Sequence, residues 1–141
     1  MKSSFTFEQI RSAKAFRIAP TDSNYFVMLF DPANSTTEHI FVIEIFAVGG
    51  ATPPNTHSHA HEFFYVIAGT GEAESDGAST PVGPGDALLL EPGSVHVVRN
   101  TGAGKLYTLT VMTPNQGFSE LIRSGTPVML DAEDIRTLTN P

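Results

Sequence analysis

The chain has 141 residues, 40% of them hydrophobic and only 16% charged, with a formal net charge of −7. That length suits one domain with a real core, and an acidic balance without any run of Lys or Arg argues against nucleic acid or an anionic membrane surface as partner. Cysteine is absent, which removes disulfides, thiolate metal sites and thiol nucleophiles.

The opening stretch MKSSFTFEQIRSAK lacks the apolar centre of a signal peptide, and no stretch reaches membrane-span length. A soluble cytoplasmic protein folded as a single domain over residues 1–141 is the expectation. Thr6 to Gln9 has the spacing of a capping box, which predicts a short helical turn over about 7–14. From Asn24 onward the pattern is that of strands. YFVMLF at 25–30 and IFVIEIFAV at 40–48 are rich in aromatic and β-branched residues, and further strands are expected at 62–68, 71–75, 87–90, 96–100 and 105–112.

Turn signals separate these segments: GG at 49, PPN at 53, DG at 76, PGD at 84, PG at 92 and TGAG at 101. Strands recurring roughly every 8–12 residues with no long helix between them indicate an all-β sandwich or barrel. After Pro114 the pattern changes. Phe118, Leu121 and Ile122 lie at helical spacing and Gly125 suits a C′ position, so a short helix is expected over 117–125, with another turn at 131–136. The barrel core is then about 24–113 and the C-terminal helical segment about 114–141.

The chemistry concentrates in HSHAHEFFYVIAG at 57–69, which holds three of the five histidines. If 57–59 is extended, His57 and His59 present two imidazoles on one face. Glu62 on the next strand supplies an oxygen, and His96 supplies a ligand from far away in sequence. Histidines with a carboxylate suit divalent first-row metals. His39, alone on a strand, reads as a surface or structural residue. Fragments such as Gly69-Thr-Gly71 lack the helix that a phosphate-binding loop needs.

These two stretches together resemble the two motifs of the cupin superfamily, as found in small single-domain bacterial cupins. The first motif runs G, five residues, H-x-H, three or four residues, E, six residues, G; here His57-x-His59 is followed by Glu62, six residues and Gly69. The second runs G, five residues, P-x-G, two residues, H, three residues, N; here Gly85, Gly93, His96 and Asn100 take its places. Only two residues separate His59 from Glu62, six rather than five separate Gly50 from His57, and Glu91 stands at the second motif's proline. The short connection leaves His61 able to supply a ligand in place of Glu62 or of His57.

The resemblance covers about residues 45–112 and implies a double-stranded β-helix, or jelly-roll, barrel with short N- and C-terminal helical segments. It implies one divalent transition metal (Fe, Mn, Ni or Zn) inside the barrel, held by His57, His59, Glu62 and His96. A small-molecule ligand or substrate and a homodimer formed through edge strands, with YFVMLF as a strand needing cover, are further implications. Phe64, Val66 and Ala68, with Val98 and Asn100, are expected to face inward and Arg99 outward. A dioxygenase-type oxidoreductase is the expected function; the alternatives are a non-catalytic metal- or ligand-binding cupin and an isomerase or decarboxylase using the same site.

Overall fold

The computed structural model describes residues 4–53 and 55–140. Ten strands and two helices follow in the order β1 (Ala15–Arg17), β2 (Tyr25–Phe30), β3 (Ile40–Phe46), β4 (His61–Ala68), β5 (Gly71–Ser75), β6 (Ala78–Val82), β7 (Ala87–Leu90), β8 (His96–Asn100), β9 (Leu106–Thr113), α1 (Phe118–Arg123), β10 (Thr126–Val128) and α2 (Ala132–Thr139). Seven strands form one antiparallel sheet in the order β10-β1-β2-β3-β9-β4-β7, and β6-β5-β8 form a second. This is the expected all-β, double-stranded β-helix architecture.

Strands β2 and β3 are near-continuous apolar runs because the sheet is covered on both faces at that point. Phe26, Met28, Ile40 and Val42 face inward with Met112 and Ile122. Tyr25, Val27, Ile43 and Ile45 face outward, where Leu130, Leu138 and residues of the N-terminal segment cover them. YFVMLF is therefore an internal strand between β1 and β3 rather than an edge awaiting a partner. Below the centre of the barrel, Phe46, Phe64, Val66, Ala73, Val98 and Leu106 fill the interior.

Three strands had no signal in the sequence. β1 and β10 are three residues each and pair with one another, too short for a period to register. β6 carries Pro81 and is solvent-exposed along most of its length, as suits an edge. It follows a two-residue hairpin in which Asp76 and Gly77 both have positive φ, the requirement of a type I′ turn. The helix expected over 7–14 does not form. The N–H groups of Ser12 and Ala13 bond to the Gln9 carbonyl in a single turn, and the chain then enters β1, where pairing with two neighbours outweighs a short helix that is marginal by itself. β3 stops at Phe46 because Ala47–Gly50 form a turn closed by Gly50 N–H to Ala47 O.

Gly125 does follow α1, but for another reason than the expected left-handed cap: a Cβ there would strike the carbonyls of Arg17 and Ile18. Helix α2 is fixed by a polar cluster on the outer face. Asp134, in a capping box with Asp131, accepts from Tyr25 Oη at 2.6 Å and Tyr107 Oη at 2.7 Å, and Lys105 Nζ reaches Asp131 and Asp134 at 2.7 and 2.9 Å.

Helix α1 is held by Asp31, which is fully buried. Arg123 Nε lies 2.6 Å from Asp31 Oδ2, the Ser119 hydroxyl donates to the same oxygen, and the Ala33 and Asn34 N–H groups donate to Oδ1. Burial by itself would raise the Asp31 pKa, yet the Arg123 guanidinium and the Ser119 hydroxyl hold it below the usual carboxylate value. A lowered folded-state pKa contributes stability above the ordinary aspartate value that is lost as pH falls through the folded one. Asp31→Asn is therefore expected to destabilise the protein by about 3 kcal/mol at pH 7, the scale for breaking a buried pair. Urea melts should show the gap to wild type narrowing once pH drops below about 4; an undiminished gap at about pH 3 would mean that the charge of Asp31 is not what α1 depends on.

Candidate metal centre

Strand β8 pairs with β5 so that His96, Val98 and Asn100 lie on the buried face opposite Ser75, Ala73 and Gly71. His96 is 3% exposed. It enters the barrel directly after the Pro92-Gly93 turn, and its backbone bonds in both directions with Asn55. Strand β4, paired with β7 and β9, turns Glu62 inward opposite Leu90 and Met112. His57 arrives on the loop before β4, anchored by its carbonyl accepting from Gly93 N–H at 2.8 Å.

These three side chains converge. His96 Nε2 is 3.2 Å from Glu62 Oε1, His57 Nε2 is 3.6 Å from Glu62 Oε2, and the two imidazole centroids are 5.6 Å apart. One donor atom from each lies within 4.8 Å of the other two. Neither ring nitrogen of His96 makes a hydrogen bond, although both are buried. Burial would raise the Glu62 pKa, but the imidazoles of His57 and His96 beside it draw it below the ordinary value, so the carboxylate stays charged. Two nitrogens and a carboxylate oxygen, one ring making no hydrogen bond, form a donor set that fits a divalent transition metal.

His59 is not brought into this group. Residues 58–59 form a bend rather than a strand, so the alternation that would place His59 beside His57 does not apply. Gln116 holds the bend: its Oε1 accepts from Ala60 N–H at 2.8 Å and its Nε2 donates to Ser58 Oγ at 3.2 Å. Ala60 takes the buried place and His59 is exposed, its Nδ1 2.9 Å from Ser58 Oγ. His61 faces away from Glu62 and pairs with the exposed Glu91 at 3.3 Å. His39 is exposed, as expected of it.

With His57 and Glu62 as anchors, the first motif fits without distortion in a register two residues earlier than its histidine pair suggests: Gly49, five residues, Asn55-Thr56-His57, four residues, Glu62, six residues, Gly69. Asn55 stands where the family has its first histidine, and its Nδ2 is 3.3 Å from His57 Nε2. The unbroken spacing from Gly49 to Gly69 was the signal in the sequence; the run of histidines concealed it.

A cavity of about 640 Å³ opens beside the three residues, lined by Asn24, Phe26, Glu44, Thr52, Met112 and Phe118 among others. Phe118 of α1 closes one side, edge-on to Phe26 at 5.6 Å. Leu121 lines the mouth while Ile122 is fully buried. Phe64, Val66 and Val98 do face inward, but they are packed core rather than chamber wall. Ala68 is displaced by a register shift between Val66 and Ala68 and packs on the outer face. Asn100 is spent on structure, donating to the carbonyls of Phe46, Ala47 and Gly104. Arg99 points outward to Glu72 and Glu74, as expected.

Glu44 had not been singled out. It is the one charged residue in IFVIEIF, at an inward position of β3, and it is buried. Burial, with the Glu62 carboxylate as a further cause, pushes its pKa well above the ordinary value.

Residues 42–112 match the family model for the cupin domain. Solved structures of similar fold include a predicted oxalate decarboxylase from Thermotoga maritima, with a TM-score of 0.68 and 20% identity over 76% of this chain and 97% of that one. A sugar phosphate isomerase of the cupin superfamily from Silicibacter pomeroyi has a TM-score of 0.67 and 18% identity over 77% and 75%. An RmlC-like cupin from Shewanella frigidimarina has a TM-score of 0.62 and 19% identity over 80% and 92%. No curated protein matches the sequence. At these identities the likeness is one of fold, and no helix among the described residues is long and apolar enough to cross a membrane. With half of its length matched by the family model and both motifs placed at one internal site, the chain belongs to the cupin family.

Proposed function

We propose that this cupin holds one divalent transition metal on His57, Glu62 and His96 and acts as a dioxygenase-type oxidoreductase on a small organic molecule in the adjoining cavity. The observation that carries the reading is the donor set: two histidines and one carboxylate, with Asn55 where the family has a further histidine. A two-histidine, one-carboxylate face with open positions is the arrangement of non-haem Fe(II) oxygenases. Iron bound there would supply adjacent positions for dioxygen and a chelating substrate.

The protein's own contribution is positional. Glu62 remains ionised between two imidazoles, and the ring nitrogens of His96 are committed to no hydrogen bond. Phe26, Met112 and Phe118 give the chamber an apolar wall that holds a small molecule and excludes water. His59 is left out of the ligand set because its ring lies on the exposed bend. We further propose a cytoplasmic homodimer. Its support is the exposed apolar trio Phe63, Tyr65 and Leu89 on β4 and β7, with β7 an open sheet edge that a second copy can cover.

Elemental analysis after anaerobic reconstitution tests the site. Wild type should take up one equivalent of Fe(II), while His57→Ala, Glu62→Ala and His96→Ala should fall below about a tenth of an equivalent after desalting. His59→Ala should keep full occupancy, and Asn55→His should tighten binding by adding a nitrogen ligand. Full occupancy in His96→Ala would refute the site.

The reaction class is tested by oxygen uptake. Iron-loaded wild type is expected to consume oxygen with at least one member of a panel of catechols, flavonoids and keto acids, and His96→Ala to consume none. Ligand binding without any oxygen uptake would instead mark a binding protein or one of the redox-neutral cupin activities.

A further inference from the structure

The chamber wall carries further polar side chains besides the three converging residues. On the inward face of β3, Ile40, Val42 and Phe46 are apolar and only Glu44 is not. Glu44 is 3% exposed and lines the cavity. The polar side chain beside it is Asn24, which also lines the cavity and whose Oδ1 is buried without a hydrogen-bond partner. Neither group holds the sheet together, since the β3–β9 ladder runs past Glu44 through backbone pairing with Thr108. A buried acid without a cation lowers stability relative to an apolar residue of similar volume, and such losses persist where a function needs the group.

The charge of the lining points to what this part of the wall receives. Among the described residues, the cavity is lined by Asp22, Glu44 and Glu62 and by no lysine or arginine. A phosphate or a second carboxylate on a bound molecule would meet carboxyl groups and no counter-charge.

We propose that Glu44 and Asn24 form the substrate-reading part of the cavity wall, which selects an uncharged hydroxyl- or carbonyl-bearing molecule and rejects one that carries an anionic group there. The inference rests on the cavity being the substrate chamber proposed above. Burial favours the neutral form of the Glu44 carboxyl, which both donates and accepts a hydrogen bond and so suits an alcohol or a carbonyl, and the free Asn24 Oδ1 accepts one more.

Two probes that share a catechol and differ only in the group on carbon 4 test this: 3,4-dihydroxybenzyl alcohol and 3,4-dihydroxybenzoate, titrated calorimetrically into zinc-loaded and metal-free protein whose zinc content is measured. The benzyl alcohol should bind wild type at least about tenfold more tightly than the benzoate. Glu44→Leu should weaken the benzyl alcohol by about tenfold or more while raising Tm, because the buried acid has been removed. Glu44→Gln, which keeps a donor and an acceptor, should remain within about threefold of wild type. Equal or tighter binding of the benzoate, an unchanged benzyl alcohol affinity in Glu44→Leu, a lower Tm in that variant, or no benzyl alcohol binding in either form would each overturn the proposal. Failure of wild type to take up zinc would refute the metal site instead, and the metal-free titrations would still decide the role of Glu44.

Discussion

The site depends on one register: the antiparallel alignment of β4 between β7 and β9, in which Glu62 stands opposite Leu90 and Met112. Side chains alternate faces along a strand, so a slip by one residue would exchange Glu62 for His61 or Phe63 and turn the carboxylate out to solvent. Both neighbours enforce the register through the same alternation, with Phe64 and Val66 buried and Phe63 and Tyr65 exposed. Once Glu62 is inside, the position of His96 follows from the second sheet, where β5 and β8 bury Ala73 and Val98 against the same core. The two sheets thus bring a carboxylate and an imidazole to one point without any direct pairing between β4 and β8.

The rest of the molecule divides between holding that barrel and leaving room inside it. On the outer face, Asp134 ties α2 to Tyr25, Tyr107 and Lys105, closing the apolar layer over β2 and β3. On the inner face, Asp31 anchors α1 through Arg123 and Ser119, which sets Phe118 against Phe26 and beside the His57 ring at 6.5 Å. In both clusters the buried charges are paired. The cavity is different: Glu44 and the Asn24 amide oxygen are buried there, and no charged partner accompanies them. That contrast is what separates polar groups retained for folding from polar groups retained for a ligand.

Strands with a full period or a strong β-branched run were legible from local pattern alone: 71–75, 87–90 and 96–100 are found with the expected bounds. Where the prediction failed, a tertiary contact had overridden a local signal. The capping-box spacing at Thr6 lost to strand pairing at Ala15, and Gly125 serves a close approach to the Arg17 backbone that no local rule anticipates. Three-residue strands such as β1 and β10 exist only through pairing, β10 with β1 and β1 with both β10 and β2.

The sequence by itself determined the all-β architecture, because alternation and turn chemistry are local and periodic; the inward placement of Glu62 and His96 came from the family resemblance, with His61 open as an alternative ligand. The sequence did not determine which of three closely spaced histidines faces inward. That choice rests with Gln116, more than fifty residues away in the chain, which bends residues 58–60 and sends His59 to the surface. Nor did it distinguish core from cavity among the inward residues. Phe64 and Val98 are inward and packed, while Glu44 and Asn24 are inward and line open space. The difference depends on how far apart the two sheets and α1 stand at each level of the barrel, a distance that only the assembled structure defines.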